Sequence, residues 1–355
     1  MTDIKSMTIT ELSDYIQTIG EPAFRAKQLY QWMHAKCVSS LDDMTNIPKS
    51  LKAKLRSTDE TATDETTDVT ANTVDITHLA PVEVKQSADG TRKYLFELAD
   101  GNLIESVLMR YKYGNTVCVS SQVGCRMGCR FCASTLGGLT RNLTPAEILD
   151  QIYRITNDIN ERISHIVVMG MGEPLDNYDN VIRFLNLIIS EEGYNLSRRN
   201  ITVSTCGLTE RIRDLADEQL GITLAISLHA PNDELRRTIM PIAEKYSIAE
   251  IAESAAYFFE KTGRRITFEY ALSRGVNDTD ECAAELARLC RDLGAHVNLI
   301  PVNPVTERGY EPSGADRVSA FKNKLEKQGI NVTIRRELGQ DIDGACGQLR
   351  NRHGR

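Results

Sequence analysis

Between Val117 and Glu337 short strand-like runs alternate with longer amphipathic runs, and few folds accept that rhythm. The strand-like runs are Val117–Gln122, His165–Met169, Ile201–Cys206, Thr223–His229, Ile266–Leu272, His296–Pro301 and Asn331–Glu337. Helix-period runs separate them: Ala146–Asn157, Val181–Ile189, Glu210–Leu215, Ile248–Lys261, Glu281–Leu293 and Asp316–Gln328. Consecutive βα units of this length predict a parallel sheet with helices outside it. A closed eight-fold barrel typically takes about 250 residues, more than this region holds. The expected fold class is therefore α/β, an open partial barrel of about six βα units of the (β/α)₈ type.

In such sheets active sites lie at the carboxyl ends of the strands. Here those ends read Gly170-Met171-Gly172-Glu173-Pro174, Ser204-Thr205-Cys206-Gly207, Ser227-Leu228-His229-Ala230, then Asn298 with Pro301-Val302-Asn303-Pro304. The glycines Gly170 and Gly172 permit close backbone approach to a ligand, and the Glu173 carboxylate can accept from an amine or a ribose hydroxyl. After the first strand comes Gly124-Cys125-Arg126-Met127-Gly128-Cys129-Arg130-Phe131-Cys132, three cysteines at C-x₃-C-x₂-C spacing. Thr144-Pro145-Ala146-Glu147 follows, a capping box with proline at the first helical position. Structural zinc uses four ligands, and neighbouring cysteines this close rarely bridge. An iron–sulfur cluster with one iron left without a protein ligand fits the spacing best. Zinc and inert thiols remain the competing readings.

Upstream, residues 1–60 read as a small helical domain. Thr8-Ile9-Thr10-Glu11-Leu12 opens a helix with Leu12, Tyr15, Ile16 and Ile19 on one face, closed by Gly20. Pro22–Lys36 is a second helix with Phe24, Leu29, Trp32 and Met33 toward the core. Arg25, Lys27, Lys36, Lys49, Lys52, Lys54 and Arg56 make this part basic, either as a solvated surface or as a contact for nucleic acid phosphates. Residues 57–75, rich in Thr and Asp, read as a linker. The meander Pro81–Lys85, Arg92–Leu98 and Asn102–Arg110 completes a 61–116 extension ahead of a 117–340 barrel and a 341–355 tail. In its third strand Glu105 shares a face with Leu103, Val107 and Met109, and taken alone it reads as an edge residue.

The chain has 355 residues, 41% of them hydrophobic, and no apolar run of membrane-span length or signal-peptide pattern, so it reads as cytoplasmic. Nine cysteines in that setting point to metal or catalytic thiols rather than a disulfide framework. The net charge of −7 does not advertise a nucleic-acid binder. A local basic rim could still serve phosphates: Arg126, Arg130, Arg141, Arg335, Arg336 and the run from Arg350 to Arg355.

Cys125-x₃-Cys129-x₂-Cys132 with Gly172-Glu173-Pro174 resembles the radical S-adenosylmethionine (SAM) enzymes. Five further stretches narrow the likeness: Ile104-Glu105-Ser106-Val107, Ser120-Ser121-Gln122-Val123-Gly124-Cys125, Arg141-Asn142-Leu143, Ile226 to Asn232, and Asp341 to Leu349 with its Ala345-Cys346-Gly347-Gln348-Leu349. Together they resemble the RlmN/Cfr family of RNA adenine methyltransferases over nearly the whole chain.

The resemblance implies a [4Fe–4S] cluster on Cys125, Cys129 and Cys132, with S-adenosylmethionine on the remaining iron. It assigns Gly172, Glu173, Ser204, Ser227, Leu228, His229 and Asn303 to cofactor binding. It further implies that Cys346 takes a methyl group from one cofactor molecule. A 5′-deoxyadenosyl radical from a second then draws a hydrogen from that methyl, and the carbon adds to adenine. Glu105 matches the family's base, and Cys118 the thiol that resolves the adduct through a disulfide with Cys346. The implied substrates are 23S rRNA and tRNA, methylated at adenine C2, with C8 as the alternative position. The implied partners include an electron donor such as flavodoxin or ferredoxin, and a monomer outside any membrane is expected. No catalytic role attaches to Cys37, Cys206, Cys282 or Cys290.

Overall fold

The computed structural model describes residues 2–56 and 74–349 and divides into two compact units. Residues 57–73 of the expected linker and the basic run from Arg350 to Arg355 lie outside the described residues. One unit gathers Met1–Ala80, Thr144–Arg162 and Asp179–Ser197; the other gathers Pro81–Leu143, Ile163–Tyr178 and Arg198–Arg355.

In the first unit a short parallel pair, β1 (Thr2–Asp3) and β2 (Val74–Asp75), accompanies five helices: α1 (Ile9–Thr18), α2 (Phe24–Tyr30), α3 (Lys49–Arg56), α4 (Pro145–Ile159) and α5 (Tyr178–Ile189). The expected capping box of Thr144 with Glu147 forms, and the expected helix start at Thr8 is closed the same way, with Glu11. The expected single helix over Pro22–Lys36 is interrupted. α2 runs into a π turn at Gln31–Ala35, and the wider turn changes which side chains face inward. Leu29 and Met33 are buried, but Phe24 is 56% exposed, with the Arg25 guanidinium 4.7 Å from its ring centroid. Several of the basic side chains are answered locally: Lys54 by Glu21 at 2.7 Å, Arg56 by Asp42 at 2.7 Å, Lys36 by the Trp32 ring at 3.4 Å.

The second unit is built on one sheet. Its strands are β3 (Ala80–Gln86), β4 (Arg92–Glu97), β5 (Leu103–Tyr111), β6 (Gly114–Cys118), β9 (Ile163–Val168), β10 (Ile201–Thr205), β11 (Thr223–Ser227), β12 (Thr267–Leu272), β13 (His296–Pro301) and β14 (Asn331–Ile334). A separate antiparallel pair, β7 (Gln122–Gly124) and β8 (Leu139–Asn142), brackets the cysteine loop. The sheet order runs β14-β13-β12-β11-β10-β9-β6-β5-β4-β3 without closing, as expected for a partial barrel. Neighbours from β6 through β9 to β14 are parallel, whereas β4–β5 and β5–β6 are antiparallel. The meander thus continues the barrel sheet instead of forming a separate one. That placement overturns the edge reading of Glu105: β5 lies between β4 and β6, and Glu105 is only 5% exposed.

Helices α6 (Thr209–Asp217), α7 (Asp233–Ile239), α8 (Ile248–Thr262), α9 (Asp280–Leu293) and α10 (Ala315–Lys327) follow successive strands. α7 is the one that periodicity missed, being a single seven-residue helix. Its start is nonetheless written in Asn232, whose side chain accepts from Leu235 N. Among the described residues no helix is long and apolar enough to cross a membrane.

Candidate active site

The strand ends of the second unit do meet at one mouth. A cavity of about 940 Å³, part of it open to solvent, is lined from the cysteine loop by Cys125, Cys129 and Cys132. Gly172 and Glu173 line it after β9, Ser204 on β10, Ser227 at the end of β11 with His229 beyond it, Asn303 after β13, and Cys346 from the C-terminal segment. Leu228 is the exception among the expected binding residues. It is fully buried behind the cavity, and its N–H donates to Glu269 O at 3.1 Å.

The cysteine loop is pinned by its own backbone. Cys125 N donates to Gly138 O at 2.8 Å, and Thr135 Oγ1 donates to Cys129 O at 3.2 Å and Cys132 O at 3.0 Å. Gly124 has φ +76°, and a Cβ there would stand 2.0 Å from Gly138 O, so this crossing needs glycine. The glycines after β9 serve a similar purpose. A Cβ on Gly170 would meet Ser120 and Val119, and one on Gly172 would meet Gln122. They let two protein segments approach, and both also line the cavity.

Burial pushes the Cys125 thiol up to about 12 and raises Cys129 and Cys132 as well, with the neighbouring thiols adding to each shift. Thiols whose ionisation is opposed in this way become stable thiolates only around a strongly positive centre. Among the described residues no three His, Cys, Asp or Glu side chains are grouped to hold a single metal ion. In an iron–sulfur cluster each thiolate takes its own iron.

Glu173 is buried, and its Oε2 accepts from Cys206 N at 2.8 Å while Oε1 accepts from Leu175 N at 3.0 Å. Burial raises its pKa against these hydrogen bonds. A cationic amine in the cavity would relieve that cost. His229 sits at φ +57°, held by Asn277 Nδ2 donating to its carbonyl at 2.7 Å. Its Nδ1 accepts from Ala271 N at 2.9 Å, which leaves the proton on Nε2. Burial lowers its pKa to about 3, so the ring is a neutral donor at physiological pH. Arg236, fully buried, fastens these ends together by donating to Cys206 O at 2.6 Å and Leu228 O at 3.2 Å.

A second, smaller space of about 530 Å³ adjoins the first. Met169, Ile300, Asn303, Arg335 and Cys346 line both. Cys118 lines only the second, and burial pushes its thiol up to about 12. The ladder places Val107 opposite Cys118. Glu105, two residues from Val107, therefore shares that sheet face with Cys118. Glu105 lines neither space; its carboxylate pairs with the buried Lys93 at 3.0 Å, and Lys93 also donates to Asp343 O at 3.3 Å. All nine cysteines are free thiols.

The segment carrying Cys346 rests on the cysteine loop. Ala133 N donates to Gly347 O at 2.7 Å, Ser134 Oγ to Leu349 O at 2.7 Å, and Asn303 Nδ2 to Cys346 O at 3.0 Å.

Comparison with known proteins bears on this arrangement. A Radical SAM superfamily model matches residues 119–290, and a ribosomal RNA large subunit methyltransferase N-terminal domain model matches residues 2–60. The chain is 59% identical to the probable dual-specificity RNA methyltransferase RlmN of Lachnospira eligens, over 99% of this chain and 97% of that one. It is 55% identical to the protein of that name from Lachnoclostridium phytofermentans, over 98% and 94%. A radical SAM methyltransferase crystal structure from Sphaerobacter thermophilus superposes with a TM-score of 0.91 at 42% identity, covering 99% of both chains. The chain belongs to the RlmN family of radical SAM RNA methyltransferases.

Its cofactors are accordingly a [4Fe–4S] cluster and S-adenosylmethionine, and the cavity suits both. Cys125, Cys129 and Cys132 would hold the cluster, and Glu173, Ser204, Ser227, His229 and Asn303 are placed around the cofactor's polar groups. Three arginines of the expected rim are engaged within the protein. Arg126 pairs with Asp176, and Arg141 Nε donates to Asp100 Oδ2 at 2.5 Å. Arg335 turns inward to Cys346, and Glu269 lines the cofactor cavity beside it; neither was foreseen as a site residue.

Proposed function

We propose that the protein methylates C2 of adenosine in 23S rRNA and in tRNA, with Cys346 as the methyl carrier, Glu105 as the base and Cys118 as the resolving thiol. The observation that carries this reading is the position of Cys346 in the wall between the cofactor cavity and the space that Cys118 faces. A carrier must collect a group in one place and deliver it in another, and this sulfur borders both. When bound, the cluster and S-adenosylmethionine supply a methyl group and a radical able to remove hydrogen from an unactivated methyl. The chain's residues do the rest. Glu173 takes the cationic amine, His229 Nε2–H donates, and Asn303 holds the Cys346 backbone. Glu105, on the same sheet face as Cys118, takes the ring proton, and Lys93 balances the carboxylate before transfer. Cys118 stays protonated in its buried place until the adduct forms. It then loses its proton and attacks the Cys346 sulfur; the S–S bond forms as the carbon–sulfur bond to the adduct breaks with its electron pair on carbon, which takes a proton to become the methyl group. The enzyme works as a cytoplasmic monomer, reduced by a flavodoxin- or ferredoxin-type carrier.

Mass spectrometry of rRNA and tRNA from cells with and without the gene tests the position. 2-Methyladenosine lost with the gene is expected; a C8 methyl with none at C2 overturns the regiochemistry. Cys118→Ala is expected to accumulate a protein–RNA crosslink on denaturing gels, while Cys346→Ala forms neither crosslink nor product. Normal turnover by Cys118→Ala without adduct would remove the resolving thiol from the scheme.

A further inference from the structure

The two thiols that face the smaller space have unequal surroundings. Cys118 is buried and held protonated. Cys346 has a guanidinium on it: Arg335 Nη1 donates to Cys346 Sγ at 3.3 Å and touches Met169 Sδ at 3.9 Å. Arg335 follows the last strand of the sheet, and its N–H donates to Leu299 O at 2.8 Å, so its backbone is locked to β13. The charged and titratable groups around its guanidinium are Cys346, Glu269, Cys118 and Tyr111. Glu269 is itself fixed, since Asn298 Nδ2 donates to its Oε2 at 2.8 Å and Thr333 Oγ1 donates to Asn298 Oδ1 at 3.0 Å. A chain of side chains on β12, β13 and β14 thus steadies the acid that faces the arginine.

We propose that Arg335 is a catalytic residue of methyl loading, its guanidinium donating to the Cys346 sulfur and aiming it at the cofactor cavity. The inference rests on Cys346 being the carrier. In the step it serves, the Cys346 thiol first gives its proton to solvent. The sulfur lone pair then forms a bond to the sulfonium methyl carbon. The old carbon–sulfonium bond breaks with its electron pair remaining on the leaving sulfur, and neutral S-adenosylhomocysteine departs. Thiolate and sulfonium charges cancel, and Arg335 remains a cation. The resulting thioether is a far weaker acceptor than a thiolate, so the guanidinium loosens from sulfur once loading is complete. Glu269 acts through Arg335 and is a positioning residue.

The test uses R335Q, R335K and R335A in the full chain. Trypsin releases Glu337–Arg350, whose only cysteine is Cys346, so mass spectrometry reads this thiol alone. The first readout is the rate of iodoacetamide alkylation of Cys346 in cluster-free protein. The second is the methyl mass on the same peptide after incubation with S-adenosylmethionine. Losing a charge-assisted hydrogen bond is expected to slow alkylation about tenfold or more in R335Q, with methyl loading reduced in step. R335K keeps a cation without the planar fork and is expected to fall between. Added methylguanidinium is expected to recover part of the rate in R335A, which a packing role would not allow. Alkylation in R335Q within twofold of wild type overturns the proposal, as does equal slowing of R335Q and R335K with no recovery in R335A. If R335Q does not fold, R335K at an unchanged melting temperature decides: a slower rate supports, an unchanged rate overturns. RNA methylation by Cys346→Ala would instead overturn the carrier reading. An inactive Cys346→Ala beside normal loading in R335Q would overturn only the role of Arg335.

Discussion

Each compact unit buries a cluster of polar groups, and the two clusters are finished differently. In the first unit Asp150 is fully buried and fully answered by protein. Lys5 Nζ lies 2.7 Å from Oδ1, Leu79 N donates to Oδ2 at 2.8 Å, and Arg154 Nε lies 3.3 Å from Oδ2. Arg154 in turn donates to Cys37 O at 2.6 Å. In the second unit Cys125, Cys129, Cys132, Glu173, His229 and Cys346 turn toward a cavity as well as toward protein. A buried charge that the protein completes is a fastening. Buried polar groups that converge on a space fit a ligand of complementary charge and coordination. Burial and shifted pKa values occur in both clusters, so neither alone identifies the site; the direction of the groups does.

The sharpest break between them is Cys125→Ala. Removing one of the three proposed cluster ligands is expected to abolish the visible absorbance and iron content of the reconstituted protein and to take RNA methylation below detection. Retention of a stable cluster would put the ligand set elsewhere. Asp150→Asn addresses the other side. It leaves Lys5 and Arg154 buried without their countercharge, expected to cost about 3–5 kcal/mol in denaturant unfolding, with the iron content of the surviving fold unchanged. A stability within 1 kcal/mol of wild type would show that this cluster is no fastening.

Glu173→Gln lies between these two. The amide keeps the shape and one acceptor, so unfolding free energy is expected to move by no more than about 1 kcal/mol. Loss of the charge facing the cofactor's amine is expected to weaken S-adenosylmethionine binding about tenfold to a hundredfold by calorimetry. Unchanged affinity with a large stability loss would move Glu173 from the cavity group to the fastening group.

What the sequence made legible follows the same division. Strand and helix alternation gave the parallel sheet to within a few residues, because apolar period and capping chemistry are local. The loop of Cys125, Cys129 and Cys132 was legible because a cluster's ligands lie close in sequence. Lys5 and Asp150 could not be paired by inspection, since 145 residues separate them. Arg335 read as rim because an arginine beside another arginine is usually solvated, and only the return of the chain at Cys346 turns it inward. Glu105 read as an edge residue because the meander's place inside the main sheet is a tertiary fact. Phe24 read as core because a π turn cannot be seen in a 3.6-residue pattern.

The smallest effect expected concerns the one buried histidine on each side. His34 Nδ1 lies 2.9 Å from Tyr153 Oη, and burial, helped by Lys5, lowers its pKa to about 3. His229 is lowered to about 3 by burial, with Arg236 adding. Both rings are neutral in the fold, while in the unfolded chain they titrate near 6.5. Below that value the unfolded state binds the extra proton, so stability present above about 6.5 falls with pH until the folded value near 3 is reached. Between pH 6.5 and 5 the loss is about 2 kcal/mol for each ring. Buried Glu173 and Glu269, raised in the fold, act in the opposite sense as pH rises above the ordinary carboxylate range, so the slopes of variants are the quantity to compare. His34→Gln and His229→Gln should each flatten the pH dependence of the unfolding free energy by that amount. Bound S-adenosylmethionine should move neither slope, because the proton is taken up by the unfolded chain, which does not hold the ligand. A slope left unchanged by either substitution would mean that the ring it removes already carries a proton in the fold.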